Sequence, residues 1–397
     1  MLLEKRLNLL LFFNSILFIV LFFSTSFIII STSSKINNIA TELNFNQDNA
    51  YIYLQDQLNI NNTHYRVPGT IGREECAQYF ISKFQNISSS ISIMIQNFTI
   101  HSTKCQNLLF KINENKSNIV ILGAHYDSRA KATKDPDLTK RSDPIPGAND
   151  GASGSAVLLE LASVLFQQRD DLNCQLWFVF FDAEDQGEDS GGYGIEGWDW
   201  CEGSKRFTKG INMFYDSEKE SFDCMILLDM VGGINLQFIA EQYSSSSLVD
   251  ELFDIGRGLG YTYEYPSIRT SSSVLDDHYY FAELGIPTAD LIINFWNDPK
   301  WLYHHTLNDD ITFISTHSLG VTGSTIEQFV YNNFLSNVNY NYQGNYPWRF
   351  DLNSLDSLDS EILVIISVFC IIIVVALLFN YSYKLDTFKK TSLSLKE

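Results

Sequence analysis

The feature that most constrains this chain is a series of short, almost wholly apolar segments separated by helical patterns. Four of these segments are predicted strands, at 118–124, 175–181, 225–228 and 289–293. Helices are predicted from Gly72 to about Phe84 and near 155–166, 248–258 and 278–284. Strands that are apolar on both faces must be covered on both sides, which is typical of parallel strands between layers of helices. The pattern therefore predicts an α/β three-layer sandwich with a central, largely parallel mixed sheet.

Polar residues that can bind a metal or transfer a proton follow the apolar segments, and one sits in a glycine-rich loop before a helix. In chain order they are His125, Asp150, Glu184, Asp185, Asp229 and His305. In open α/β sheets, functional sites form in the crevice at the carboxyl ends of the strands. We therefore expect these distant residues to meet at one edge of the sheet.

Each of these residues also has an ordinary structural explanation when taken alone. Asp150 could cap the helix that follows it, and adjacent carboxylates such as Glu184 and Asp185 are usually exposed surface charges. These two, however, follow the apolar run 175–181 directly, and burying two carboxylates there without a cation would be costly. Their combination at successive strand ends predicts a metal site. Carboxylate and imidazole ligands without thiolate favour zinc, whereas calcium would need more oxygen ligands.

The motifs around these residues resemble those of the glutaminyl cyclases, which share their fold with zinc aminopeptidases of the M28 type. The similarity covers roughly residues 65 to 335. It is carried by GAHYDSR (123–129), GANDGASGSAVLLELA (147–162), FFDAEDQGE (180–188), WCEGS (200–204), LLDMVG (227–232), LDDHYYFAELGIP (275–287) and HHTLNDD (304–310). The resemblance implies a zinc-dependent catalytic domain that acts on peptide N-termini.

Two activities are implied by this resemblance. Cyclases use one zinc ion per chain, which the resemblance places on Asp150, Asp185 and His305, with Glu184 as general acid and base. Aminopeptidases of this type use two zinc ions, and this chain also holds candidates for the second ion. Because both ligand sets are present, the inventory of ligands leaves the two activities open.

Three features favour the cyclase. Asp276 precedes Asp277-His278, and in cyclases an Asp at this point joins a carboxylate network with the residues that match Glu184 and Asp229. The residue pattern at 182–187 and the WCEGS segment that follows it resemble the corresponding motifs of the bacterial cyclases. Pro68-Gly69-x-x-Gly72 also fits the cyclase pattern. One departure is His304, which stands where many cyclases have a pocket-forming Trp.

We therefore predict a glutaminyl-peptide cyclotransferase that converts the N-terminal glutamine of peptides or proteins to pyroglutamate and releases ammonia. The predicted catalytic residues are Glu184, Asp229 and Asp276. The alternatives are an M28-type aminopeptidase with two zinc ions and, from another class, a binding ectodomain that has lost catalysis. The net charge of −20 argues against nucleic acid as a partner, because nucleic-acid binding requires a basic surface.

Two long apolar runs near the ends of the chain, 7–30 and 362–379, are each long enough to cross the roughly 30 Å hydrocarbon core of a membrane. Lysine and arginine residues precede the first run, and lysines follow the second. Positive residues favour the cytoplasmic side of a membrane. We predict a transmembrane helix or signal anchor at 7–30, the catalytic domain at 40–345, an acidic stalk at 346–361, a transmembrane helix at 362–379 and a cytoplasmic tail at 380–397.

This arrangement places the catalytic domain in the lumen of the secretory pathway or outside the cell. Four glycosylation sequons, at Asn61, Asn86, Asn97 and Asn115, lie in that part of the chain and agree with this orientation. Five of the six cysteines lie there too, and an odd number predicts at least one free thiol. No CxxC spacing occurs, so a cysteine-based zinc site is not expected.

Overall fold

The computed structural model describes residues 43–60, 65–188, 194–296 and 298–335. Its strands are β1 (Ser92–Ile100), β2 (Thr103–Ile112), β3 (Asn118–His125), β4 (Gln175–Phe181), β5 (Ser221–Asp229), β6 (Ala240–Glu241), β7 (Ser271–Ser272) and β8 (Thr288–Ile292). Six of them form one sheet in the order β1-β2-β4-β3-β5-β8, and β6 pairs with β7.

The main sheet is mixed. Strands β4, β3, β5 and β8 run parallel to one another, whereas β2 is antiparallel to both β1 and β4. A two-residue turn joins β1 to β2, and both of its residues, His101 and Ser102, have left-handed backbones with φ of 42° and 73°. Such turns match the natural twist of a hairpin.

Helices cover both faces of this sheet. They are α1 (Gln47–Leu58), α2 (Ile71–Ile87), α3 (Ala152–Gln167), α4 (Glu202–Lys209), α5 (Ser246–Gly258), α6 (His278–Ala282) and α7 (Thr316–Phe334). Helix α3 contacts the central strands and packs against α1, α2 and α7, while α4 contacts β2 and α6 contacts β5 and β8. The fold is thus three layers deep.

Alternation along β4 shows how its apolar sequence serves both faces. Trp177 belongs to a buried cluster that includes Phe207 of α4 and Phe281 of α6. The next residue, Phe178, lies on the other side against Phe84 of α2, with ring centroids 5.7 Å apart. Because successive side chains of a strand point to opposite faces, a strand between two helical layers has to be apolar throughout.

The predicted α/β fold with a mixed central sheet and flanking helices is confirmed. The four predicted strands correspond to β3, β4, β5 and β8, and the four predicted helices to α2, α3, α5 and α6, with shifts of a few residues at the ends. The sequence analysis did not identify the hairpin β1–β2 or helices α4 and α7. The outer strand of the hairpin, β1, is only partly buried, so its apolar pattern is weaker.

Several predictions concern residues beyond those the structure describes. The two apolar runs, the acidic stalk and the cytoplasmic tail all fall outside the described ranges, as does Asn61. Within the described ranges, no helix combines the length and the apolar character needed to cross a membrane. The five described cysteines, Cys76, Cys105, Cys174, Cys201 and Cys224, are all buried free thiols.

Candidate active site

The carboxyl ends of β3, β4 and β5 bring polar residues to one edge of the sheet. His125 is the last residue of β3 and Asp229 the last of β5, while Glu184 and Asp185 follow β4 directly. His305 lies in the loop between β8 and α7. The fold therefore delivers the residues of the predicted site to the same edge.

The loop that carries Asp150 approaches the end of β5 closely. At Gly154, in the first turn of α3, an added Cβ would lie only 2.0 Å from the carbonyl oxygen of Leu228, so only glycine allows this approach. The N-cap residue of α3 is Gly151, and no side chain caps the helix. Asp150 is therefore not a helix cap, and its carboxylate is available to the site.

His305 contacts both carboxylates that were predicted to share a metal ion with it. Its Nε2 atom lies 2.9 Å from Oδ1 of Asp185 and 3.8 Å from Oδ2 of Asp150. All three residues are buried. The structure thus brings the three predicted ligands together, with both carboxylates facing Nε2 of His305.

A second group adjoins the first and shares Asp150 with it. The Nε2 atom of His125 lies 3.1 Å from Oδ1 of Asp150 and 3.1 Å from Oδ1 of Asp229. One oxygen of Asp150 therefore faces His125 and the other faces His305. An Asp placed in this way can bridge two neighbouring cation positions.

The donor atoms of these groups fit zinc. They are imidazole nitrogens and carboxylate oxygens, and His305 with its two partners leaves room for substrate at a three-ligand site. The second oxygen of Asp185, Oδ2, is buried and lacks a hydrogen-bond partner within the described ranges. Leaving a buried carboxylate oxygen without a partner is costly, and a bound cation would remove that cost.

Burial disfavours the charged forms of the site residues, and a bound cation would offset this for the carboxylates. Burial raises the pKa of Asp185 and of Asp229 to about 6 each, well above the ordinary value for Asp. Burial, followed by the charge of Arg129, lowers the pKa of His305 well below its usual value. His305 is thus neutral, which is the form of imidazole that binds a metal.

Asp127 orients three parts of the site and was not identified as a functional residue from the sequence. Its Oδ1 lies 3.4 Å from Nδ1 of His125, on the ring edge opposite the site. The carboxylate also accepts hydrogen bonds from the backbone N–H groups of Glu184 and Asp185 and from the side chain of Gln186. Such outer contacts fix the orientation of metal-binding groups.

Two further buried residues hold the predicted ligands in place. Arg129 donates to Oδ1 of Asp185 at 3.2 Å. The carboxylate of Asp309 accepts from the backbone N–H groups of Asn149 at 2.7 Å and of Asp150 at 3.2 Å, which fixes the loop that carries Asp150. Both belong to motifs found in the sequence, GAHYDSR and HHTLNDD, but their partners are far away along the chain.

Glu184 lies in a buried acidic group beside these ligands. Glu184, Cys201 and Asp276 each offer an atom within 4.8 Å of the others. Burial raises the pKa of Glu184 well above its ordinary value, and the Asp276 carboxylate raises it further. Burial, with the charge of Asp229 next in importance, raises the pKa of Asp276 to about 7. The three predicted catalytic residues are therefore electrostatically linked.

Asp276 does not act as the cap of the helix that follows it. Helix α6 begins at His278, its N-cap residue is Asp277, and no side chain caps it. The Asp276 carboxylate instead accepts from the backbone N–H of Asp277 at 2.6 Å, while its other oxygen is buried and lacks a partner within the described ranges. The Asp276 side chain is therefore free of a helix-capping role and belongs to the acidic group of the site.

A cavity of about 620 Å³ opens onto these residues. Its lining includes all six predicted site residues, Asp150, Glu184, Asp185, Asp229, Asp276 and His305. Trp200, Phe295 and Trp296 contribute aromatic rings to the same lining. The Trp200 ring lies parallel to that of His305, with centroids 5.9 Å apart. The cavity suits a small end group of a larger substrate.

His304, which stands where a pocket Trp was expected, lines the same cavity. Its ring packs against Phe295 with centroids 4.5 Å apart, and its Nδ1 lies 2.7 Å from the ammonium of Lys134. Trp301, a nearby tryptophan, is 1% exposed and is absent from the described cavity lining. The aromatic surface of the cavity therefore comes from Trp200, Phe295 and Trp296.

Comparison with known proteins identifies relatives with both predicted activities. Aminopeptidase YwaD of Bacillus subtilis is 27% identical over 220 residues, which cover 54% of this chain and 41% of that protein. The glutaminyl-peptide cyclotransferase of Drosophila melanogaster is 22% identical over 254 residues, which cover 57% of this chain and 66% of that protein. The chain thus spans less than two thirds of the length of these relatives.

A solved structure covers more of the fold. The glutaminyl cyclase of Bacteroides thetaiotaomicron, bound to N-acetylhistamine, superposes with a TM-score of 0.66 at 28% identity, covering 74% of this chain and 100% of that one. The model of the family described as Peptidase family M28 matches residues 107–330, which carry the strand-end residues and the cavity. The chain therefore belongs to peptidase family M28.

Proposed function

We propose that this protein is a zinc-dependent glutaminyl cyclase, which converts the N-terminal glutamine of peptides or proteins to pyroglutamate. The observation that carries the proposal is that Glu184 and Asp276 are buried close together, beside the predicted metal ligands Asp185 and His305. A buried carboxyl with a raised pKa next to a second acid is suited to hold and return a proton.

Asp150, Asp185 and His305 would hold one zinc ion per chain. When bound there, zinc supplies a Lewis acid that polarises the side-chain amide carbonyl of the substrate glutamine. Arg129 and Asp309 keep the two carboxylates in position. The stacked ring of Trp200 limits the space in front of His305.

Glu184 would carry the proton in this reaction. It accepts a proton from the α-amine of the substrate as the amine nitrogen forms a bond to the carbonyl carbon of the glutamine side chain. The bond between that carbon and the amide nitrogen then breaks, and Glu184 returns the proton to the leaving ammonia. Asp229 and Asp276 would share the proton with Glu184, because clustered carboxylates cannot all be ionised at once.

Incubating the purified domain and zinc with a peptide that begins with glutamine tests this proposal. We expect release of ammonia and a blocked N-terminus, both detectable by mass spectrometry. Glu184→Gln should lower kcat by a factor of about 100 or more, in line with the usual contribution of general acid–base groups, and leave the zinc content unchanged. Release of free amino acids from unblocked peptides, with N-terminal glutamine left uncyclised, would rule out the cyclase.

An aminopeptidase with two metal ions is the second candidate, and the position of Asp150 between His125 and His305 favours it. In that case His125 and Asp229 would bind a second ion. Metal analysis separates the candidates, since the cyclase predicts about one zinc per chain and the aminopeptidase about two. A catalytically inactive ectodomain, the third candidate, predicts no turnover of either kind in the wild-type protein.

We also propose that the catalytic domain is anchored in a membrane of the secretory pathway and faces the lumen or the outside. The apolar runs 7–30 and 362–379, with their flanking basic residues, support this proposal. Its substrates would then be the N-termini of secreted or surface peptides. Recovery of the full-length protein in the soluble fraction after carbonate extraction of membranes would contradict the anchoring.

A further inference from the structure

Cys201 is a buried residue whose backbone adopts an unusual conformation next to the proposed base. It immediately precedes α4 and has φ of 55° and ψ of 36°, in the left-handed region that favours glycine. Its side chain is 0% exposed. A residue with a Cβ held in this region indicates a local requirement, and such residues cluster at functional sites.

The backbone of Cys201 is tied to the segment that carries Glu184. The N–H of Cys201 donates to the carbonyl of Glu184 at 2.9 Å, and the N–H of Glu202 donates to the carbonyl of Ala183 at 3.1 Å. Ala183 is itself left-handed, with φ of 60°. Two unusual backbone conformations thus face each other across a pair of hydrogen bonds.

The result of this geometry is a direct contact between the Cys201 thiol and the Glu184 carboxylate. The distance from Sγ to Oε1 is 3.2 Å. The carbonyl oxygen of Leu275 lies farther away, 3.8 Å from the same sulfur atom. Burial, followed by the charge of Glu184, raises the pKa of the thiol well above its ordinary value, so it keeps its proton and can donate it to the closer acceptor, Oε1 of Glu184.

We propose that Cys201 is a positioning residue for Glu184. Its S–H donates to Oε1 and fixes the rotation of the carboxylate, so that the second oxygen is directed to the α-amine of the substrate. The thiol forms no bond with the substrate. This inference rests on the proposed role of Glu184, and it explains why the left-handed position before α4 is occupied by Cys and not by Gly.

Three substitutions separate positioning from a purely structural role. Cys201→Ser keeps a donor, Cys201→Ala removes it, and Cys201→Gly removes it while relieving the left-handed backbone. We expect Cys201→Ala and Cys201→Gly to lower kcat about tenfold or more with little change in KM, which is the scale of losing a hydrogen bond to a charged group. Cys201→Ser should keep a higher kcat than Cys201→Ala.

The unfolding temperature of the same variants is also measured. A positioning role and a purely structural role predict different rankings of the variants in stability and in kcat. Cys201→Gly should unfold at a temperature no lower than that of Cys201→Ala and yet be impaired in kcat. A Cys201→Gly enzyme with wild-type kcat would overturn the inference, as would a Cys201→Ser enzyme no better than Cys201→Ala. Cys224→Ala, which removes another buried thiol from the first half of β5, is the matched control and should keep wild-type kcat.

The wild-type protein is assayed first, with both a glutamine-terminated peptide and an unblocked peptide lacking glutamine. If it only hydrolyses the second, the cyclase proposal fails, and the same variants are compared in that hydrolysis, where Glu184 would be the base as well. The inference about Cys201 is then judged by the same order of kcat values. Failure of the proposed function and failure of the inference therefore give different results.

Discussion

Residues with strained backbones surround the candidate active site. Ala183, Met230 and His305 all have left-handed backbones, with φ of 60°, 48° and 58°. Each is, or directly follows or precedes, a residue of the site. A left-handed residue with a Cβ costs about 1–2 kcal/mol, so the surrounding contacts must hold these conformations in place. At Ala183, Asp127 provides such a contact, because its carboxylate accepts from the backbone N–H groups of Glu184 and Asp185.

Replacing Asp127 by Asn tests this support at the scale of one residue. Asp127→Asn keeps the shape but loses the charge that accepts from His125 and from two backbone N–H groups. We expect zinc affinity to fall about 10- to 100-fold, measured by competition with a chromophoric chelator, because outer contacts of metal ligands commonly contribute that much. Asp170→Asn, at a side chain that is 84% exposed, is the control and should bind zinc like the wild type.

At the scale of elements, the segment before α1 is part of the catalytic domain. The Glu327 carboxylate in α7 accepts hydrogen bonds from the backbone N–H groups of Asn44 at 2.8 Å and of Phe45 at 2.9 Å. Gly323, one turn earlier in α7, lies directly under the ring of Phe45. A helical face without a side chain and a buried carboxylate therefore form the docking surface for this segment.

Gly323→Ala should destabilise the domain even though alanine is the better helix former. The added Cβ would lie 2.2 Å from the Phe45 ring, so the ring must move. We expect a loss of about 1–3 kcal/mol in the free energy of unfolding, measured by urea denaturation. In a Phe45→Ala background the same substitution should be neutral or stabilising by up to about 1 kcal/mol. Equal losses in both backgrounds would contradict the proposed packing.

At the scale of the whole molecule, the acidic residues below the cavity set how stability depends on pH. Burial raises the pKa of Asp182 and Asp276 to about 7, and that of Asp185 and Asp229 to about 6. In an unfolded chain these groups lose their protons near pH 4. Between about pH 4 and 7, the folded metal-free protein therefore holds protons that the unfolded chain has released.

The contribution of these groups to the free energy of unfolding of the metal-free protein is therefore highest at acid pH and falls as the pH rises through this window. Zinc reverses the trend, because it binds the ionised carboxylates and displaces their protons. We expect the difference in melting temperature between zinc-loaded and metal-free protein to widen from about pH 5 to about pH 8. A difference that stays constant or shrinks over this range would contradict the placement of the ion among these acids.

The α/β architecture and most of the site could be predicted from the sequence because both depend on local patterns. A strand buried on two faces must be apolar throughout, and polar residues directly after it must lie at the edge of the sheet. The same argument predicts His125, Asp185 and Asp229 as residues of the site. The hairpin β1–β2 was missed because its outer strand is half exposed and carries a weaker pattern.

What only the tertiary structure decided is which groups touch. Asp150 is shared by two histidines 180 residues apart in the chain, Asp309 holds the loop of Asp150, and Cys201 contacts Glu184. No periodicity encodes such contacts, because they depend on how loops from different strands close over one another in three dimensions. The sequence determined which chemical groups reach the edge of the sheet, and the packing of the loops determined the partner, protonation and orientation of each.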